Sequence, residues 1–547
     1  MSLNLNKVLF GVILVKYFFL LGFFVVIGGC KKTPDNSGPV KGGVGVIVSK
    51  NLPSTVSYDV VIYGGTSAGV IAAVQASRLG KKVALIANTS WLGGMTAGGL
   101  SNTDIGNYKV IGGITLEFYN KVASLYGKTA PQWKFEPKMA QEAINGMINS
   151  AHVTLFLNER LLLNGGVSKI NSTITSITLE SGKIVNGKMF IDASYEGDLM
   201  AVAGVSYTVG REANSEYGET LNGLTKQTPE NHLDPYVIAG NPSSGLLPRV
   251  NLYSNTQTGV ADSGIMSYNY RLTLTTNKAD MAPVLKPAGY NPLDYELLVR
   301  SLQIDSTQSV SSIAALPNNK FDFNANGPFS SDYLGMSHSY VNADYTTRAV
   351  IANEHHVYDQ GFLWTLQNDP RIPATVQKYY QQFGLAADEF YDNNNWPTQL
   401  YIREGRRMIG SYITTQQDIE NQTTISNPIG MGSYGIDCHP VELLVNPGGK
   451  LYYEGGVYAT ISSPFPISYL SIVPTRAECT NLFVPVCLSC THVALSSIRM
   501  EPQYMILGQS AAIAACLCID NNVAAQDLKY TTLQPYLTQE KQIVALN

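Results

Sequence analysis

The stretch from Tyr58 to Leu100, YDVVIYGGTSAGVIAAVQASRLGKKVALIANTSWLGGMTAGGL, constrains this chain more than any other. Val60 to Tyr63 is a short apolar run of the kind a buried parallel strand requires. Gly64-Gly65-Thr66-Ser67-Ala68-Gly69 follows at once, then an Ala-rich run at helical spacing from Val70 to Leu79, then a second apolar strand from Lys82 to Ile86. Strand, glycine turn, helix and strand within about 30 residues is the setting in which a glycine-rich turn holds a dinucleotide pyrophosphate. Gly64 permits the tight turn, Gly69 lets helix and strand approach, and free N–H groups at the helix start face the anion. Two positions depart from the usual G-x-G-x-x-G pattern. Thr66 replaces the middle glycine, and Ala87 stands where an acidic ribose partner is expected about 20 residues on. Either Asn88 or Ser90 takes over that contact or the contact is absent.

With 547 residues, 45% of them apolar, the chain can bury a large core and is expected to form two intimately joined domains. A net charge of −4 argues against nucleic acid as a partner. Residues 1–30 read as a targeting segment: Lys7 precedes the apolar stretch Val8–Val26, and Ile27-Gly28-Gly29-Cys30 resembles the processing site of bacterial lipoproteins. That resemblance implies cleavage before Cys30 and a lipid on its thiol; an uncleaved membrane anchor is the alternative. Either places the body in the cell envelope, on the periplasmic or cell-surface side, held to the membrane through a flexible tether over residues 31–55. The other six cysteines lie between Cys438 and Cys518. Cys487 and Cys490 have CxxC spacing, but no second CxxC or suitable His pair accompanies them, so no metal site is expected. Most of the six read as small buried apolar residues.

Further along, Ile111, Ile114, Phe118 and Val122 share a helical face, and a second amphipathic helix starts near Pro137. Val153 to Leu157 reads as a strand. Val167 to Phe190 alternates around a Glu180–Lys183 turn, a β-meander that feeds a strand ending at Asp192-Ala-Ser-Tyr-Glu196. From about residue 205 to 470 regular βα alternation is lost. Within that span Leu366–Phe390 reads as helical, and Tyr401–Met408 places Arg403 and Arg407 at i and i+4 on one face. Asn481–Val486 reads as a strand, and Glu501-Pro502 opens a small-residue helix through to Ile519. After residue 30 the Ala-rich segments are too short or too mixed to read as membrane spans.

Seven segments in order carry a family resemblance: YGGTSAGVIAA, WLGGMTAGGLSNTD, FIDASYEGDLMAVAGVSYTVGREANSEYGE, REGRRMIGSY, MGSYGIDCH, PISYLSIVP and SIRMEPQYMILGQSAAIAA. Together they resemble the FAD-dependent oxidoreductases of the glutathione-reductase-like superfamily. The resemblance implies an α/β fold (α+β overall): a Rossmann-like FAD-binding domain with a β-meander, from residues 56–205 and 471–547, plus a mixed substrate or cap domain over 206–470. It implies a pyrophosphate cradle at Gly64, Gly65, Thr66, Ser67, Ala68 and Gly69, with Asn88 at the adenosine end. It further implies a ribityl and flavin loop at Gly93, Gly94, Met95 and Thr96, and a segment returning to the cofactor at Asp192 and Glu196. Gly508, Gln509 and Ala512 resemble the C-terminal helix whose amino end faces the flavin.

A flavin that takes a hydride from an alcohol carbon leaves a proton for a protein base, most often His. His439 and His492 lie in motif-like stretches and are the candidate bases; each reads more readily as a hydrogen-bonded structural residue. Arg403 and Arg407 either clamp substrate oxygens or form an ion-pair network with Glu404. The expected function is hydride abstraction from a small polar, carbohydrate-type alcohol, with electrons passed to an external acceptor that the sequence does not identify. A flavin monooxygenase and a non-catalytic glycan-binding surface lipoprotein are the alternatives.

Overall fold

In the computed structural model the described residues are 47–48, 54–225, 228–230, 233–253 and 257–546, so Cys30 and its leader lie outside them. The dinucleotide unit forms as its pattern predicts. Strand β2 (Thr55–Tyr63) enters the glycine turn, helix α1 (Ser67–Arg78) follows, and β3 (Val83–Ala87) returns parallel to β2, with Val60 opposite Val83. β3 is buried along its whole length, which is why its sequence is continuously apolar rather than alternating. Outward from β3 lie β4 (Val153–Leu157) and β1 (Ile47–Val48), both parallel.

On the other side of β2 the meander strands β5 (Val167–Ile170) and β6 (Thr173–Thr178) lead into β7 (Ile184–Asp192), giving the order β1-β4-β3-β2-β7-β6-β5. β7 pairs with β2 along its length on one edge. On the other edge its first half pairs antiparallel with β6, and Phe190 and Ile191 pair parallel with β15 (Leu482–Phe483). This last strand is shorter than the Asn481–Val486 run suggests. The carboxyl ends of β2, β3 and β7, at Tyr63, Ala87 and Asp192, thus lie together, the place where open α/β sheets bind ligands.

Helices α2 (Gly113–Leu125) and α3 (Pro137–Asn149) form where their apolar faces predict. Helix α6 (Glu501–Asn521) packs on α1, and every residue from Glu501 to Cys518 is buried. A Cβ on Gly508 would lie 2.4 Å from the Ala68 carbonyl oxygen, so the two backbones touch there. By length and composition α6 is apolar enough to cross a bilayer, which the sequence reading did not anticipate. Its most apolar window is 94% buried in the protein, and it is the core helix of the fold.

Residues between β7 and β15 add an antiparallel sheet of β8 (Leu272–Thr275), β9 (Met281–Ala282), β10 (Ser311–Ala315), β11 (Lys320–Ala325) and β12 (Gly384–Ala386), in the order β9-β12-β8-β11-β10. Helix α4 (Tyr345–Asn368) starts well before the expected Leu366, because Asp344 caps it by accepting from the Thr347 N–H at 2.7 Å. It stops at Asn368, one residue before the Asp369-Pro370 pair that cannot continue it. Residues 402–406 are not helical, so Arg403 and Arg407 share no helix face. Gly405 permits the close packing found instead: a Cβ there would lie 2.1 Å from the Tyr195 carbonyl oxygen.

Candidate active site

The glycine turn is built around contacts no side chain would permit. Gly64 has φ +110°, and a Cβ on it would lie 2.5 Å from the carbonyl carbon of Ala193; on Gly69 it would lie 1.9 Å from the Gly64 oxygen. Thr66, the departure from the glycine pattern, caps α1. Its hydroxyl accepts from the Gly69 N–H (3.2 Å) and donates to the Ala193 oxygen (2.7 Å), tying the helix start to the segment after β7. Among the described residues the N–H groups of Gly65 and Thr66 find no acceptor, so donors remain for an anion at this helix terminus.

A cleft opens over this turn, lined by Gly64, Thr66, Asn88, Gly94, Glu196 and Arg348 among others. Asn88 and Thr89 occupy the end of β3, where the acidic residue is missing. Arg348, from α4, is bound bidentately to Asp198 at 2.6 and 2.8 Å, and Arg406 adds a third contact to the same carboxylate at 2.8 Å. Glu196 accepts from the Tyr340 hydroxyl at 3.2 Å; burial raises its pKa, with Arg348 opposing. Asp192 is fully buried behind the cleft. It accepts from the Ser194 hydroxyl (2.6 Å) and the N–H groups of Ser194 (3.0 Å) and Met200 (2.8 Å), shaping the loop that carries Tyr195 and Glu196. Burial pushes its pKa up to about 6.

The glycine loop after β3 forms a single helical turn, Met95–Gly98, and is pinned from both sides. The Met95 N–H donates to the Tyr195 hydroxyl at 2.9 Å, and Gly94 lacks the Cβ that would clash with that hydroxyl. Tyr195 in turn donates to Glu501 at 2.7 Å, and the Thr96 hydroxyl donates to the other Glu501 oxygen at 2.5 Å. Glu501 is the first residue of α6, buried without a cationic partner among the described residues, and burial raises its pKa. In the sequence it reads as a helix start; its signal is a carboxylate opening a run that carries no other charge before Asp520. One turn in, Gln503 is fully buried with neither amide atom hydrogen bonded. Gly508, Gln509 and Ala512 sit farther along α6. Gln509 accepts from the Ile114 N–H (3.0 Å) and donates to Gln75 (3.0 Å), joining α6 to α1 and α2.

The profile of the family "FAD dependent oxidoreductase" matches residues 59–537, nearly all of this architecture. The chain belongs to that family. Its cradle fits the cofactor: glycines that leave no room for a Cβ, unpaired N–H groups at the start of α1, and an unpartnered buried amide at the start of α6. No protein of curated function matches the sequence. Among solved structures the oxidoreductase resembles L-proline dehydrogenase from P. horikoshii (15% identity, 30% of this chain and 59% of that one, TM-score 0.23). It also resembles L-amino acid deaminase from Proteus vulgaris (13%, 32% and 55%, 0.22) and THI4 from Thermovibrio ammonificans (17%, 28% and 66%, 0.21). The matched part thus spans under two thirds of the length of each of these chains.

A second pocket of the oxidoreductase, about 210 Å³, adjoins the amino end of α6 and is almost wholly polar. Its walls include Asp104, Arg271, Asp332, Asp437, His439 and Arg499. Asp437 and His439 come from the end of strand β13 (Ile436–Cys438), which pairs with β14 (Val457–Ala459). His439 Nδ1 is 2.7 Å from Asp332 Oδ2, and its Nε2 is 3.7 Å from Asp437. Arg499 donates to Asp437 (2.9 Å) and to the Tyr401 hydroxyl (2.8 Å). Burial works against ionised Asp332 and Asp437, but Arg403 and the protonated form of His439 for the first, and the protonated form of His439 and Arg499 for the second, hold both below the usual carboxylate range.

The other three candidate residues of the oxidoreductase are not among those lining this pocket. Arg403 is fully buried, donating to the Ser267 oxygen (2.6 Å) and Asn269 (3.0 Å) and pairing with Asp332 at 3.0 Å. Arg407 pairs with Glu404 and with Glu212 (2.5 Å), and its Nε donates to the Cys490 oxygen (3.2 Å). His492 opens helix α5 (His492–Ile498), with Nδ1 at 2.9 and 3.0 Å from the two Glu404 oxygens. Burial disfavours its charge, but Glu404 and Cys438 outweigh burial and lift its pKa to about 10. It is therefore an imidazolium in an ion-pair network. The six cysteines from Cys438 to Cys518 are all buried and free; burial raises the Cys487 thiol pKa well above its usual value and takes Cys516 to about 12.

Proposed function

We propose that this chain oxidises a small polar alcohol in the pocket beside α6, with His439 as the base. The observation that carries the reading is the 2.7 Å His439–Asp332 contact at the wall of a polar pocket. Bound FAD supplies the hydride acceptor; Gly64, Gly65, Gly69 and the α1 terminus would hold its pyrophosphate, and the loop Gly93–Thr96, fixed by Tyr195 and Glu501, its middle. Asp332 accepts from His439 Nδ1–H, which orients the ring and leaves Nε2 as the acceptor for a substrate hydroxyl proton. Asp332 and Asp437 then stabilise the imidazolium that forms. Arg403 fixes Asp332, while Arg407 and His492 hold Glu404, the next residue of the chain.

The polar lining supports the alcohol assignment, since it offers hydroxyl partners on several sides and no apolar recess. Electrons leave to an external acceptor, and the enzyme is anchored in the cell envelope through lipid on Cys30. Anaerobic mixing of the purified FAD-loaded chain with a panel of small alcohols tests the reading by bleaching of the flavin absorbance. Failure of every alcohol, with bleaching by another substrate class, would remove the assignment.

A further inference from the structure

Every guanidinium at the polar pocket is already paired with a carboxylate of the chain. Arg271 is bound to Asp322, Arg499 to Asp437 at 2.9 Å, and Arg403, which does not line the pocket, to Asp332 at 3.0 Å. Two lining guanidiniums face three lining carboxylates, and Asp104 has no ion-pair partner among the described residues. An incoming carboxylate would lose its hydration and meet, among the described residues, no guanidinium without a carboxylate partner.

Neutral hydroxyls meet the opposite situation. Each offers one donor and two acceptor lone pairs, and the pocket supplies both complements. Asp104, Asp332 and Asp437 accept, while Tyr401, Tyr434 and Tyr458 do either. A volume of about 210 Å³ lies below the ~300–1,000 Å³ of sites for drug-sized ligands. Apart from the tyrosine rings, the non-polar lining is only Ala325, Gly327 and Pro440.

We propose that the pocket takes a polyhydroxy compound of monosaccharide size and turns away carboxylates, amino acids and hydroxy acids included. This deepens the alcohol-oxidation reading and rests on it for the pocket's role. The test uses the full FAD-loaded chain and calorimetric titration with matched sets sharing one carbon skeleton: neutral hexoses and hexitols, and their aldonates. At least one neutral member should bind, its aldonate roughly tenfold or more weakly. Asp322→Asn, which unpairs Arg271, should narrow that gap; Asp437→Asn, at a less buried position, makes the same change at Arg499 should the first variant fail to fold. Aldonates binding as well as the neutral sugars, or no neutral member binding, would each overturn the proposal. Binding of a neutral sugar without flavin bleaching would sink the oxidation reading and leave the charge selectivity standing. Bleaching by a hydroxy acid would do the reverse.

Discussion

The buried His492–Glu404 pair makes a pH-dependent contribution to stability whose sign and window follow from the structure. With its pKa lifted from 6.5 to about 10, His492 keeps its proton in the folded protein while the unfolded chain releases it. The stabilisation is therefore fully present below pH 6.5 and is lost as pH rises through about 10. At about 1.4 kcal/mol per tenfold change in proton affinity, the whole window corresponds to roughly 5 kcal/mol, a large share of a typical folding free energy. Urea denaturation of the wild-type chain at intervals from pH 6.5 to 9.5 should show stability falling by about 1.4 kcal/mol per pH step from this group. His492→Asn removes the titrating ring while Arg407 still neutralises Glu404, so its profile should lose that slope. An unchanged slope in the variant would refute the imidazolium assignment and return His492 to the candidate bases.

Three further outcomes follow from the cofactor cradle. Gly508→Ala places a Cβ 2.4 Å from the Ala68 oxygen, a backbone atom that cannot rotate away, so the α1–α6 contact should open at about 1–3 kcal/mol, and the purified variant should carry less FAD. Full flavin content and an unshifted melting temperature would contradict this. Glu501→Ala leaves the Thr96 and Tyr195 hydroxyls without an acceptor at about 1–3 kcal/mol each, whereas Glu501→Gln keeps one acceptor; FAD affinity by fluorescence titration should fall in the order wild type, Gln, Ala. Asp198→Asn unpairs Arg348 and Arg406 at the cleft and should destabilise the fold by about 3–5 kcal/mol in denaturant titration, a loss below 1 kcal/mol being incompatible with the buried pair.

The parts of this molecule legible in the sequence are those written locally. The turn at Gly64–Gly69, the meander around Glu180–Lys183 and the small-residue face of α6 each need only neighbouring residues to declare themselves. What stayed hidden depends on distant partners. Asp332 lies 107 positions from His439, and Thr96 lies 405 from Glu501, so neither contact leaves a trace in spacing. Arg403 and Arg407 misled because i and i+4 is a helical spacing only when the backbone is helical, and Gly405 is pressed against the Tyr195 carbonyl instead. Thr66 looked like a defect because its role, bonding Ala193, is filled across 127 residues.

The central claim, that His439 is the base of an FAD-dependent alcohol oxidation, is tested most directly by single-turnover reduction of the flavin without oxygen. With an alcohol that bleaches the wild-type enzyme, His439→Ala should reduce about 10²–10⁴ times more slowly while retaining its FAD. Reduction at the wild-type rate by a variant that still holds FAD would contradict the claim.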